Sequence, residues 1–194
     1  MRRVERALAV ALLLALCAAH AQQAEWNLAA LMQALAARPH AQARFVERRY
    51  LKVLDAPLEV TGRLVYAAPD RLEKHMLTPK RETLRVVGDR VTIEGTDRVK
   101  VRTLRLQDHP ALWGFVQSVR ATLAGDLPAL ERFYAVELHG TRARWELVLA
   151  PRVQVMRALV DVIRIRGSEA RIRTVEVVEA RGDRAVMQIR EADS

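Results

Sequence analysis

The chain has 194 residues, a formal charge of +9 and 51% hydrophobic residues, which fits one domain with a sizeable core. It holds only three each of Phe, Trp and Tyr, scattered too widely for a base-stacking platform, and its single cysteine excludes an internal disulfide framework. Such a charge in a cytoplasmic protein would suggest nucleic acid; the export signal read below and the scattered aromatics point instead toward anionic lipid headgroups or an acidic protein, or to charge spread evenly along solvated strands, as at Arg63, Arg85, Arg98, Arg102, Arg142 and Arg144.

Arg2, Arg3 and Arg6 precede an unbroken apolar run, Ala7 to Ala19, and Ala19-His20-Ala21 has the small-x-small pattern of a signal peptidase site. The run is about 13 residues, short of the roughly 20 that a spanning helix needs. Residues 1–21 are read as a signal peptide and 22–194 as one exported, periplasmic domain. Leu16 is too bulky for a lipoprotein cleavage site before Cys17, so cleavage after Ala21 leaves a chain without cysteine, carrying +7.

Residues 26–38 have the period of a helix, with Leu28, Leu31, Met32 and Leu35 on one face, Asn27 as cap and Pro39 as stop. Strands are expected at 42–54 and 58–67; in the second, Leu58, Val60, Leu64 and Tyr66 share one parity. Ala68-Pro69-Asp70 is a turn, and in the strand after it Leu72 and Met76 alternate with Glu73 and His75. Residues 82–106 read as a meander, with turns at Gly88-Asp89 and Gly95-Thr96-Asp97 and strands around Val91–Ile93 and Val99–Val101. The pattern turns helical over 110–124, opened by Pro110 and closed by Gly125, with Asp108-His109 as a cap, and again over 127–133. Strands return at 134–139, 143–150, 160–166, 171–178 and 184–190, with turns containing Gly140, Gly167 and Gly182-Asp183.

Short connections make neighbours antiparallel. The fold class is mainly β with helices (α+β): about ten strands in a curled antiparallel sheet or open, incomplete β-barrel, with amphipathic helices buried against its concave face. Catalytic and metal patterns are missing. Ser118, Ser168 and Ser194 lie outside any nucleophile elbow, and His40, His75, His109 and His139 are too dispersed for metal spacing. No cofactor motif is present, and no enzyme is expected.

Several segments in fixed order carry a resemblance. They are Leu28-x-x-Leu31-Met32-x-x-Leu35, Ala43-Arg44-Phe45-Val46-Glu47, Leu58-x-x-x-Gly62-x-Leu64-x-Tyr66-x-x-Pro69-Asp70-x-Leu72, Glu82-x-Leu84-x-Val86-x-Gly88-Asp89, Leu123-x-Gly125-Asp126-Leu127-x-x-Leu130, Trp145-x-Leu147-x-Leu149-x-Pro151, and Gly182-Asp183. With these the chain resembles the LolA superfamily of periplasmic outer-membrane lipoprotein carriers, in its divergent LolA-like branch. The resemblance implies an open barrel with a helical lid and a cavity for the acyl chains of a lipoprotein, lipid or glycolipid. It implies a monomer that takes lipidated cargo from an inner-membrane donor complex to an outer-membrane acceptor. One position departs: the Arg before the Pro, which the resemblance would give a lid-holding role, is Ala68.

The inward-parity residues Phe45, Leu64, Tyr66, Leu72, Met76, Trp145, Leu147 and Leu149, with Leu112, Trp113 and Val116 from the helical segment, are the candidate cavity lining. An ordinary packed core would use the same alternation. The competing functions are a ligand-sensing or protein-interaction module of the envelope and an acylated acceptor anchored at Cys17. Intact mass of the exported protein distinguishes the last: a chain beginning at Gln22 is expected, and a lipidated Cys17 would replace the carrier with the acceptor.

Overall fold

The computed structural model describes residues 26–95 and 101–191. The expected signal segment 1–21, and Thr96, Asp97 and Val99 of the expected meander, lie outside them. Helix α1 (Leu28–Ala36) starts where the Asn27 side chain accepts the Ala30 N–H at 3.0 Å, and it buries Leu31, Met32 and Leu35. Six strands follow: β1 (His40–Tyr50), β2 (Leu58–Ala67), β3 (Arg71–Thr78), β4 (Glu82–Val87), β5 (Arg90–Gly95) and β6 (Val101–Arg105). A 3₁₀ turn (Leu106–Asp108) leads to α2 (Pro110–Ala124) and α3 (Leu127–Glu131). The chain then forms β7 (Tyr134–Thr141), β8 (Arg144–Pro151), α4 (Gln154–Arg157), β9 (Val160–Ser168), β10 (Arg171–Glu179) and β11 (Arg184–Glu191).

These bounds correct several expectations. The first strand stops at Tyr50, because the Leu54 N–H bonds back to the Leu51 carbonyl and turns the chain. His109 holds the N-cap of α2 without a side-chain bond, so Asp108-His109 does not cap it as expected. Gly125 does close α2, at φ +66°, where a Cβ would strike the Met32 carbonyl of α1. Gly140 and Gly167 sit inside β7 and β9 rather than in turns, and the short α4 carried too few residues to show a period.

All eleven strands form one antiparallel sheet in the order β6-β5-β4-β3-β2-β1-β11-β10-β9-β8-β7. The sheet does not close, so β6 and β7 are free edges. The first and last strands meet at its centre, from Ala43 opposite Glu191 to Tyr50 opposite Arg184. Two strand glycines allow the curl. Gly62 lies opposite Phe45, and Gly167 opposite Trp145. A Cβ on Gly62 would meet the Phe45 ring and the His75 carbonyl; one on Gly167 would meet the Trp145 ring and the Arg171 carbonyl. The Trp145 indole N–H is satisfied by the Glu169 carbonyl at 2.8 Å.

The concave face packs in two separate clusters. The larger gathers Leu31, Leu35, Leu130, Tyr134, Trp145, Leu147, Leu149, Met156 and Ile163 under α1, α2 and α3. The smaller holds Val86, Val91, Leu106 and Val116 at the β4–β5 side. At one end of the sheet, the β1–β2 turn is tied to the β10–β11 turn by Lys52 N–H to Asp183 Oδ1 at 2.9 Å. The β10–β11 turn is tied to the β8–β9 connection by Ala180 N–H to the Leu159 carbonyl at 3.0 Å. Val53, Leu54, Val155 and Leu159 project from these turns into solvent.

The curl generates a stability prediction. Gly62→Ala and Gly167→Ala each place a methyl where a ring and a carbonyl already stand, and each should cost about 1–3 kcal/mol. Gly95→Ala, where the added carbon meets nothing within 4 Å among the described residues, should stay within about 0.5 kcal/mol. Urea midpoints compare the three, and equal midpoints would mean that the cross-strand contacts do not hold the curl.

Candidate ligand cavity

Between the two clusters the concave face is unfilled. A cavity of about 360 Å³ opens there, at the lower end of the volume typical of ligand sites. One wall comes from α1 and α2, with Leu35, Phe115, Val119 and Leu123. The other comes from the sheet, with Leu64, Tyr66, Leu72, Ile163, Val175 and Met187. The walls are apolar because each strand sends alternate side chains inward: on β2 these are Leu64 and Tyr66, on β4 Leu84 and Val86, on β9 Ile163 and Ile165.

Of the residues expected at the cavity, Leu64, Tyr66, Leu72, Val116 and Leu149 line it. The other six lie elsewhere. Trp145 and Leu147 are buried in the larger cluster. Phe45 is buried against Gly62, with Lys74 Nζ 5.0 Å above its ring. Leu112 packs on the smaller cluster. Trp113 is 36% exposed and meets Phe133 edge-on at 5.4 Å. Met76 is half-buried between Gly62 and Glu82. The sequence reading missed the contribution of β9, β10 and β11. Its signal was present, since Ile163/Ile165, Val175/Val177 and Met187/Ile189 alternate as clearly as Leu64/Tyr66 do.

Three ion-pair clusters interrupt the apolar surface, one of them around the buried Glu73 of β3, which Arg71, His75 and Arg85 contact. On the inward parity of β1 and β3, Glu47 is nearly buried and bonds both Lys74 Nζ and Arg49 Nε, the latter at 2.6 Å. Burial pushes the Glu47 carboxyl up, but the bonds from Lys74 and Arg49 outweigh it and hold it below its ordinary value. Burial lowers the Lys74 ammonium, with Glu47 opposing. At the Pro39 end, Arg38 makes a forked bond to Glu191, at 2.5 and 3.0 Å, and Arg171 adds a contact at 3.2 Å. The Arg38 bond is the main cause of a lowered Glu191 carboxyl. Arg120 of α2 fastens the helix to the barrel, its Nη2 donating to the carbonyls of Asp70 at 2.6 Å and Gly88 at 2.8 Å. That fastening reaches the turn that contains Ala68, from the helix side. No group of three or more His, Cys, Asp or Glu fit to hold a metal occurs among the described residues.

Residues 17–192 match the family described as "Outer membrane lipoprotein carrier protein LolA-like", and the chain belongs to that family. No curated protein matches it. Among solved structures it is similar to a LolA superfamily protein from Nitrosomonas europaea, with 9% identity, 84% of this chain and 92% of the other covered, and TM-score 0.46. It is also similar to a putative outer membrane lipoprotein-sorting protein domain from Vibrio parahaemolyticus, with 10% identity, 86% and 92% covered, and TM-score 0.42. A third likeness is to the MucA/MucB complex of Pseudomonas aeruginosa, with 14% identity, 86% of this chain and 58% of the other covered, and TM-score 0.43. The family assignment rests on the sequence match.

Because Glu47 and Glu191 titrate below the ordinary carboxyl value of 4.5 when folded, their stabilisation is complete above that value and disappears as pH falls through the lowered ones. Thermal unfolding should therefore show a Tm that drops steeply below pH 4.5. Glu47→Gln and Glu191→Gln should start lower at pH 7 and fall less on acidification; an unchanged acid slope would rule these carboxylates out as its source.

Proposed function

We propose that this protein is a carrier of the bacterial envelope that takes the acyl chains of a lipoprotein, lipid or glycolipid into the cavity and moves them between membranes without chemistry. The observation that carries the reading is the unfilled apolar space between two packed clusters. A core of this size has enough side chains to close on itself, and leaving such a volume empty forgoes packing worth several kcal/mol. That is a large share of the roughly 5–15 kcal/mol by which a domain is stable. An acyl chain restores those contacts and gains about 0.8 kcal/mol for each CH₂ removed from water.

Residues 1–21 act in this reading as a cleaved signal, which places the remaining domain, 22–194, in the periplasm. No helix among the described residues is long and apolar enough to cross a membrane, consistent with a carrier that leaves one membrane for another. Cargo exchange needs a donor and an acceptor. A second reading, a protein-interaction module of the envelope, is favoured by the exposed Val53, Leu54, Val155 and Leu159 at one end of the sheet.

Native mass spectrometry with lipid extraction, on protein purified from the periplasm without detergent, decides between them. The expected result is a bound amphiphile, lost in Leu64→Glu and Leu72→Glu variants that still fold. A clean apo mass, with no uptake of a fluorescent fatty-acid probe, would sink the carrier and leave the interaction module.

A further inference from the structure

Two neighbouring buried residues, Tyr66 and Arg120, each leave one polar atom without a partner among the described residues. Tyr66 is 6% exposed and lines the cavity, and its hydroxyl meets no hydrogen-bonding group among the described residues. Arg120 is 8% exposed; its Nη2 holds two carbonyls, but its Nε–H is buried without an acceptor. Arg120 lies behind the cavity wall rather than on it, close enough to Tyr66 for its charge to act on the phenol. Tyr66 sits opposite Leu72 across the β2–β3 hairpin, and Arg120 grips the Asp70 carbonyl in the turn of that hairpin. On α2, Arg120 follows Val116 and Val119, which form the helical wall.

A buried guanidinium ordinarily faces a carboxylate, because an uncompensated charge is costly away from water. Arg120 makes no ion pair among the described residues. The carboxylates of Asp70 and Asp89 favour its charge from the two turns, but neither carboxylate accepts a bond from it; the bond to Asp70 goes to the backbone carbonyl. The cations at the wall are already matched: Lys74 with Glu47, and Arg38 with Glu191. Burial holds the Tyr66 phenol above its ordinary value, with Arg120 pulling the other way, so it keeps its proton at neutral pH and is free to donate. One O–H on a residue of the cavity wall and one N–H on the fixed cation behind that wall are therefore left without acceptors, and together they are a donor set for a negatively charged oxygen.

We propose that Tyr66 Oη and Arg120 Nε bind the anionic head, carboxylate or phosphate, of an amphiphile whose acyl chain fills the cavity. The inference rests on the carrier reading and narrows it, from any acylated cargo to one with a charged oxygen at the buried end of the chain. Binding through Nε leaves both Nη2 bonds intact, so the head is held without unfastening α2.

The test is displacement of a neutral naphthylamine probe from the detergent-free protein by three ligands with the same chain: hexadecanoic acid, hexadecyl phosphate and hexadecan-1-ol. At least one of the two anions should bind about tenfold more tightly than the alcohol, as expected for bonds to a charged group. The tighter anion identifies carboxylate or phosphate as the head. Arg120→Met should remove the preference while keeping affinity for the alcohol. Tyr66→Phe deletes only an unpartnered hydroxyl, so it should fold as the parent does and lower the preference about threefold, a result that decides the matter even if Arg120→Met fails to fold. Equal binding of all three ligands would overturn the head site and leave the carrier standing. A preference that survives in folded variants of both residues would overturn it as well. Displacement by none of the three would overturn the carrier reading together with the site.

Discussion

A sheet that curls without closing cannot bury its own concave face. Eleven strands turn far enough here to make a trough, and the open edges β6 and β7 leave that trough to be covered by helices. Everything else follows from how incompletely the helices fit. α1, α2 and α3 press on the β7–β10 side and build the larger cluster, while Leu106 and Val116 hold the β4–β5 side. Neither group reaches the middle. The cavity is the distance between two packings that a single sheet obliges to coexist.

The charged groups in the trough keep that space from collapsing. Lys74, Glu47 and Arg49 occupy inward positions on β1 and β3 where apolar side chains would otherwise meet. Their bonds fix them along the sheet, and moving them into an apolar contact would strand a charge. Arg120 does the corresponding task on the helix, since its two carbonyl bonds set the height of α2 above the β2–β3 and β4–β5 turns. A wall supported by fixed ion pairs and a strapped helix can stay apart where a purely apolar wall would close.

The strand pattern was legible because period-2 alternation reports burial directly: β2 begins and ends where Leu58, Val60, Leu64 and Tyr66 place it. Cavity membership was less so. Leu147 and Leu149 share a parity on β8, yet Leu149 reaches the cavity and Leu147 does not. The difference lies in where α1 and α3 rest, which no local pattern encodes. Gly140 and Gly167 misled for a related reason: glycine marks turns, but it also marks places where a ring such as Trp145 must lie against the neighbouring backbone. Arg120 carried no signal at all, since a single Arg in an amphipathic helix reads as solvated until the two turns beneath it are seen.

The meeting of β1 and β11 at the centre of the sheet sets an order of events. A chain that emerges from its amino end produces β1 first, and β1 can pair at once only with β2. Its other edge stays bare until Arg184–Glu191 has been made. The stretch up to β6 supplies only Val86 and Val91 of the smaller cluster, whose Leu106 and Val116 come later in the chain, and contacts as distant in sequence as those of β1 with β11 form late and slowly. The trough is therefore not assembled piece by piece. Its two halves are joined only when the last strand pairs with β1 on one side and β10 on the other.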